Sequence, residues 1–214
     1  LNRHALYRVV KTAQYLKVYY RTVGIDVYTE GYVESCTVTN FGELVNGQIS
    51  IICPDPYWYS TQSIYAYSQS VFGAFHFPFP ESDEPFPLGV YSTDKTLSIF
   101  NSGEEVGILI TLEAASGEDV PNPVITAVTL YDDDTSTYFQ LRLNILPGDK
   151  IIINTKQGQK SVTLVRDGVT TNIINCMTSG STWFTLRKGL NRYRLSASKY
   201  ITATIQHTDA YLGV

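Results

Sequence analysis

The chain of 214 residues contains one methionine, Met177, and only three cysteines, Cys36, Cys53 and Cys176. An odd number of scattered thiols with no CxxC pair excludes ordinary metal-site spacing and leaves one thiol over however the others pair. Reduced thiols, in a protein that folds in a cytoplasm, are the expectation. Long apolar runs are missing as well. The longest, such as Ile49 to Cys53, fall far short of the roughly 20 residues a membrane helix needs, so no membrane partner is expected. Leu1 opens directly into a helical pattern with no charged leader or apolar signal core, and is read as a cut end.

The motifs of catalysis are also lacking. There is no HExxH, no GxSxG, no GxxxxGK and no GxGxxG. The three histidines fall in unrelated settings: His4 in the first turn of the helical pattern, His76 in a phenylalanine-rich arm, and His207 at a strand end. Asp132, Asp133 and Asp134 offer clustered oxygens of the kind Ca²⁺ favours. The ligand spacing and bidentate glutamate of a calcium loop are missing, so a solvated hairpin tip is expected. No enzyme, cofactor or metal is expected.

Basic residues are nearly absent from the middle of the chain. Residues 1–21 carry five basic groups and no acid, residues 22–134 carry 17 acids against Lys95 alone, and residues 135–214 carry ten basic groups against three acids. The net charge of −4 gives no basic footprint for nucleic acid, which is not an expected partner. Two readings of the blocks stand side by side. Sheet formation interleaves them in one molecule, or faces of opposite sign let copies dock. The cluster Arg187, Lys188, Arg192, Arg194 and Lys199 is the candidate basic face.

What is abundant is aromatic and β-branched: 16 Tyr, 9 Phe and 2 Trp, the composition of pleated sheets. Residues 2–13 read as a helix, with Leu6, Val9, Val10 and Ala13 at three- and four-residue steps. Strands follow at 15–21, 32–39 and 48–53. Gly24 breaks the chain after the first, and Asn46-Gly47 supplies turn chemistry between the last two.

At CPDPYWYS the character changes. Beyond it runs a stiff arm in which Pro78, Pro80, Pro85 and Pro87 alternate with Phe77, Phe79 and Phe86. Those phenylalanines lie over their own domain or dock on a neighbouring subunit. The expected organisation is 1–56, the end of an N-terminal domain; 57–92, a Pro/Phe-rich linker arm; and 93–214, a C-terminal domain.

From Thr96 on, short alternating strands and explicit turns predict an antiparallel β-sandwich. In FQLRLNIL, Phe139, Leu141, Leu143 and Ile145 point one way and Gln140, Arg142 and Asn144 the other. Gly168 and Gly189 are free to take the positive φ of hairpin ends, and Asn191 can hydrogen-bond locally at its turn. Trp183 and Phe184 alternate in STWFTL. One of them facing outward would give a platform for sugar rings or a partner; otherwise both are covered.

Several stretches together resemble the distal tail proteins, the tail components of long-tailed phages of Gram-positive bacteria. They are LPGDKIIINTKQGQKSVTL, RDGVTTNI, STWFTLRKGLNRYRLSAS and the terminal YLGV, with IFNSGEEVGILITLEA and PNPVITAVT upstream. FPFP and CPDPYWYS resemble the family's domain junction, and GYVESCTVTN through ISIICPDP the end of its N-terminal domain. The resemblance implies a mainly β protein with a galectin-like sandwich. It further implies six copies in a ring that links the tail tube to the tail-tip hub and carries receptor-binding parts. The implied partners are further copies of the chain, the tube protein and the hub protein, in a virion assembled in the bacterial cytoplasm. Phe77, Phe79, Phe86, Arg187, Lys188, Arg192 and Arg194 become candidate inter-subunit contacts. The alternative is a carbohydrate-binding sandwich that recognises host surface glycans through Trp183 or Phe184. Family members carry more chain before the helix, so this chain alone is expected to be monomeric or weakly associated.

Overall fold

A computed structural model describes residues 7–41, 44–73, 89–116 and 123–213. They build antiparallel sheet almost throughout. The first strands are β1 (Tyr15–Thr22), β2 (Ile25–Phe41), β3 (Leu44–Ile52) and β4 (Trp58–Ser60). Next come β5 (Ile64–Tyr67), β6 (Gln69–Gly73), β7 (Gly89–Asn101), β8 (Val106–Gly107), β9 (Leu109–Ala114) and β10 (Ile125–Asp132). They are followed by β11 (Thr137–Ile145), β12 (Lys150–Asn154), β13 (Ser161–Arg166) and β14 (Val169–Asn172). After a 3₁₀ turn at Ile174–Cys176 the chain ends with β15 (Thr185–Leu186), β16 (Gly189–Ser196), β17 (Ile201–His207) and β18 (Ala210–Tyr211).

The chain divides into two compact units, one of Leu1–Gln62 with Thr208–Val214, the other of Ser63–His207. In the first unit β1, β2, β4 and β18 are neighbours in that order and β3 also pairs with β2. Of the expected helix, residues 2–6 lie outside the described residues and only 7–9 are helical. The chain then turns into β1, whose Tyr, Val and Leu content suits a strand better than a further helical turn. The break at Gly24, with φ 89°, is as expected. Asn46-Gly47 is not a turn: Asn46 pairs with Thr39 and Gly47 with Val38 inside the β2–β3 ladder. The ladder closes beyond them at Phe41↔Leu44, because pairing along a 17-residue strand outweighs one local turn signal. Parts of 57–92 are strand: β4 lies in the first unit, and β5 and β6 in the second.

The second unit is the sandwich the alternating strands predict. One sheet has the order β11-β10-β16-β7-β6 and the other β14-β13-β12-β9-β17-β5, with β15 and β8 as a small ribbon. Alternation decides which side chains face inward. Phe139, Leu141 and Ile145 are buried while Arg142 and Asn144 are exposed, and Ile151 with Ile153, Val162 with Leu164, and Ala203 with Ile205 enter the core from the other sheet. The tight turn between β13 and β14 has positive φ at Asp167 (51°) and Gly168 (78°), and Gly189 at the start of β16 has φ 97°. Lys95 on β7 is fully buried, and its Nζ donates to the carbonyls of Lys199 (3.1 Å) and Ile201. Burial pushes its pKa down. Those bonds tie the five-stranded sheet to the chain entering β17.

Candidate functional site

The residues singled out at the C-terminal end are used to build turns. In the GD turn, Asp149 is almost wholly buried. Its carboxylate accepts from the Leu146 backbone N–H at 2.7 Å and from Arg166 Nε and Nη2 at 2.8 and 2.6 Å. Arg166 Nη2 also donates to the Asn144 carbonyl at 2.9 Å. The Arg166 hydrogen bonds are the main reason the Asp149 carboxyl is held below the usual carboxylate range, with the Leu146 bond assisting and burial opposing. Thr155, six residues on, accepts from the Ile108 N–H at 2.8 Å.

Two asparagines serve as internal caps. Asn191 is fully buried, accepts from the Arg187 N–H at 3.0 Å and donates to the carbonyls of Arg187 and Gly189 at 2.7 and 3.0 Å. Asn101 is equally buried, accepts from the Gly103 N–H and donates to the carbonyls of Glu104 and Leu186. Buried polar atoms so fully engaged fix loop shape.

Asp133 and Asp134 are exposed in the turn between β10 and β11, as a hairpin tip requires, but Asp132 departs from that expectation. Asp132 is buried and pairs with Arg187 Nη2 at 3.1 Å, which also reaches Asp134 at 3.4 Å. Arg192 lies 4.0 Å from Asp134, and Arg194 lies 3.3 Å from Asp133 and stacks on the Tyr131 ring at 4.4 Å. The basic cluster and the acidic tip thus neutralise each other in one molecule, as the interleaved reading of the charge blocks requires. Lys188 is exposed.

Trp183 is half-buried against Phe139, with ring centroids 5.4 Å apart, and Lys160 sits over its ring at 5.8 Å. Phe184 is buried against Tyr193 at 5.5 Å, and so presents no face to a ligand. Phe77, Phe79, Phe86, His4 and His76 lie outside the described residues. His207 is buried at the end of β17. Cys36, Cys53 and Cys176 are free thiols. Among the described residues no group of His, Cys, Asp or Glu could hold a metal ion, and no helix is long and apolar enough to cross a membrane.

What sequence reasoning missed is the face of the first unit. The β1–β2 register aligns Tyr15 with Tyr32, Lys17 with Glu30, Tyr19 with Tyr28 and Arg21 with Asp26. Rings and ion pairs therefore alternate along one side. Tyr15 and Tyr32 meet edge to face at 5.1 Å, Lys17 Nζ lies 3.4 Å over Tyr28, and Tyr28 continues to Tyr59 at 5.9 Å. Tyr15, Tyr19 and Tyr32 are each about half exposed. Tyr15 donates to Glu30 at 2.5 Å, chiefly for which its pKa is pushed up to about 12. Period-two spacing of Tyr15, Lys17, Tyr19 and Arg21 was the available signal.

Residues 119–211 match the family of the siphovirus-type tail component, C-terminal domain. Two solved structures, both of the phage P2 baseplate in its activated conformation, one with Ca and one with Sr, share the fold with TM-scores of 0.51 and 0.50. Each is 15% identical, over 90% of this chain and 68% of the matching chain. No curated protein matches the chain.

Proposed function

We propose that a chain whose residues 119–211 carry a siphovirus-type tail component domain is a structural, non-enzymatic subunit of a phage tail tip. That family match is the observation that carries the reading. In finer detail, copies close a ring between the tail tube and the tip hub, the first unit supplying ring contacts and the sandwich serving as a mount.

Two physical features support this. The motif side chains of the sandwich are engaged in holding turns, so its surface geometry is set before any partner arrives and little ordering entropy is lost on assembly. The tyrosine ladder of β1 and β2 has the composition of protein interfaces, where Tyr and Arg are enriched. Contacts between copies through Phe77, Phe79 and Phe86 and through Arg187, Lys188, Arg192 and Arg194 belong to the same proposal. Because three of those arginines already face aspartates of their own chain, salt is expected to weaken self-association only modestly.

Gold-labelled antibody against the protein, imaged on intact phage particles, tests the assignment. Label at the distal end of the tail is expected. Label confined to heads, or none on particles, overturns it.

A further inference from the structure

On the exposed face of β1 and β2 the strand registers set the tyrosines in two rows. Tyr15 pairs with Tyr32 and Tyr32 with Ile52; four residues along, Tyr19 pairs with Tyr28 and Tyr28 with Tyr59. The rows therefore run side by side, about 13 Å apart at the usual rise of a strand. Between them lies the ion pair of Lys17 and Glu30 at 3.5 Å, with Lys17 Nζ over the Tyr28 ring. Several rings are held in place: Tyr59 donates to Asp55 and Tyr15 to Glu30, each at 2.5 Å, and Tyr19 lies 6.0 Å from Tyr28. Tyr15, Tyr19, Tyr32 and Ile52 remain between 48% and 56% exposed in the single chain.

The sequence of the second unit contains a segment that matches this surface. Gly73 and Gly89 pair at the end of the β6–β7 ladder, and the sequence between them is AFHFPFPESDEPFPL. It holds two clusters of phenylalanine and proline, FPFP at 77–80 and PFP at 85–87, joined by the acidic run ESDE at 81–84. The step from Pro80 to Pro85 spans at most roughly 17 Å, enough to bridge the two rows. Cluster, acidic spacer and cluster thus answer aromatic row, Lys17 and aromatic row. Each proline locks its own φ and holds its predecessor extended. An extended proline-rich chain suits a flat aromatic surface, because it loses little entropy on docking and its carbonyls are open to phenol donors. Charge agrees: the segment carries Glu81, Asp83 and Glu84 and no Lys or Arg, whereas residues 1–21 carry five basic groups and no acid.

We propose that the two tyrosine rows of one copy seat residues 77–87 of a second copy. A second copy is the source because the single chain leaves these rings half open. One cluster lies on each row and the acidic run crosses Lys17. The inference rests on the reading that copies assemble, and it names the surface that Phe77, Phe79 and Phe86 meet. One such contact is weak, and repetition around an assembly raises its avidity.

A synthetic peptide of residues 76–88, titrated into the isotope-labelled whole chain and followed by amide chemical shifts, tests this away from the tail. Binding at about millimolar or tighter is expected, with shifts centred on β1 and the first half of β2. Alanine in place of Phe77, Phe79 and Phe86 of the peptide should weaken it at least about tenfold, with the chain itself untouched. Tyr19→Ala with Tyr32→Ala in the chain should do the same, with its melting temperature showing that the fold survives. The titration is repeated on a chain whose own Phe77, Phe79 and Phe86 are alanine. Binding by that chain alone would give the rows to the chain's own segment and overturn the proposal. No binding by either chain, shifts centred on the sandwich, or undiminished binding by the alanine peptide would overturn it as well. Failure here leaves the tail-tip assignment standing, and absence of antibody label from tails leaves this docking standing, because the two are read on different samples.

Discussion

The two units place their side chains in opposite ways. In the second unit, 25 buried apolar residues among those described form one continuous core between two sheets, and the buried polar groups Asn101, Asp149, Thr155 and Asn191 are tied to backbone. In the first unit the buried apolar residues among those described are Val27, Val33 and Ala210, while Tyr15, Tyr19, Tyr20, Tyr32, Ile25 and Ile52 remain exposed. One unit completes itself; the other presents apolar and aromatic surface on a sheet that closes no comparable core. Exposed patches of this kind mark surfaces meant for another protein. The contrast suggests that shape is stored in the sandwich and contact is made by the tyrosine sheet.

Core truncation should break the contrast most forcefully. Phe139 is buried and touches the rings of both Trp183 and Phe184, so Phe139→Ala should cost about 3–5 kcal/mol in denaturant unfolding. A loss under about 1 kcal/mol would mean that the sandwich is not the rigid partner of the pair.

A smaller effect is expected at Asp149, through pH. Its pKa is lowered in the fold, chiefly by Arg166. The stability it contributes is therefore present above the unfolded carboxylate value of about 3.9 and lost as pH falls through the folded value. Asp149→Asn should lower neutral-pH stability by about 1–3 kcal/mol and flatten the acid limb of a stability–pH curve. An unchanged acid limb would show that other carboxylates govern it.

Gly189→Ala places a Cβ at φ 97°, with an expected cost of about 1 kcal/mol in thermal unfolding. Smallest of all, Tyr19→Ala in the first unit should change the stability of the free chain by less than about 0.5 kcal/mol while reducing its incorporation into tails. Tyr15 should ionise near its raised value of about 12, and Glu30→Gln should bring that value down in a spectrophotometric titration, because the hydrogen bond to the carboxylate is its main cause.

The sandwich was legible because a half-buried strand must alternate. FQLRLNIL, KIIIN and ITATIQH declare their inner faces without help from distant residues, and Asp-Gly or Gly-Leu-Asn turns mark their ends. The expected helix overran its end: 7–9 are helical, but 10–13 turn into β1, because apolar residues at three- and four-residue steps also occur in a short segment leading into a strand. Asn46-Gly47 misled because register is decided by the whole ladder. The role of Asp132 was invisible for another reason: its partner Arg187 is 55 residues away, and no local pattern distinguishes a buried carboxylate from a solvated one. The tyrosine ladder is likewise a product of strand pairing, and only register assembles it.

Hydroxyl-radical footprinting read by mass spectrometry, on the free chain and on purified tails, tests the division of labour most directly. Strong protection of Tyr15, Tyr19 and Tyr32 in tails, with the core peptides around Phe139 and Tyr193 equally protected in both states, is the expected result. Equal labelling of the three tyrosines in tails and in solution would contradict the role of the first unit as the contact surface.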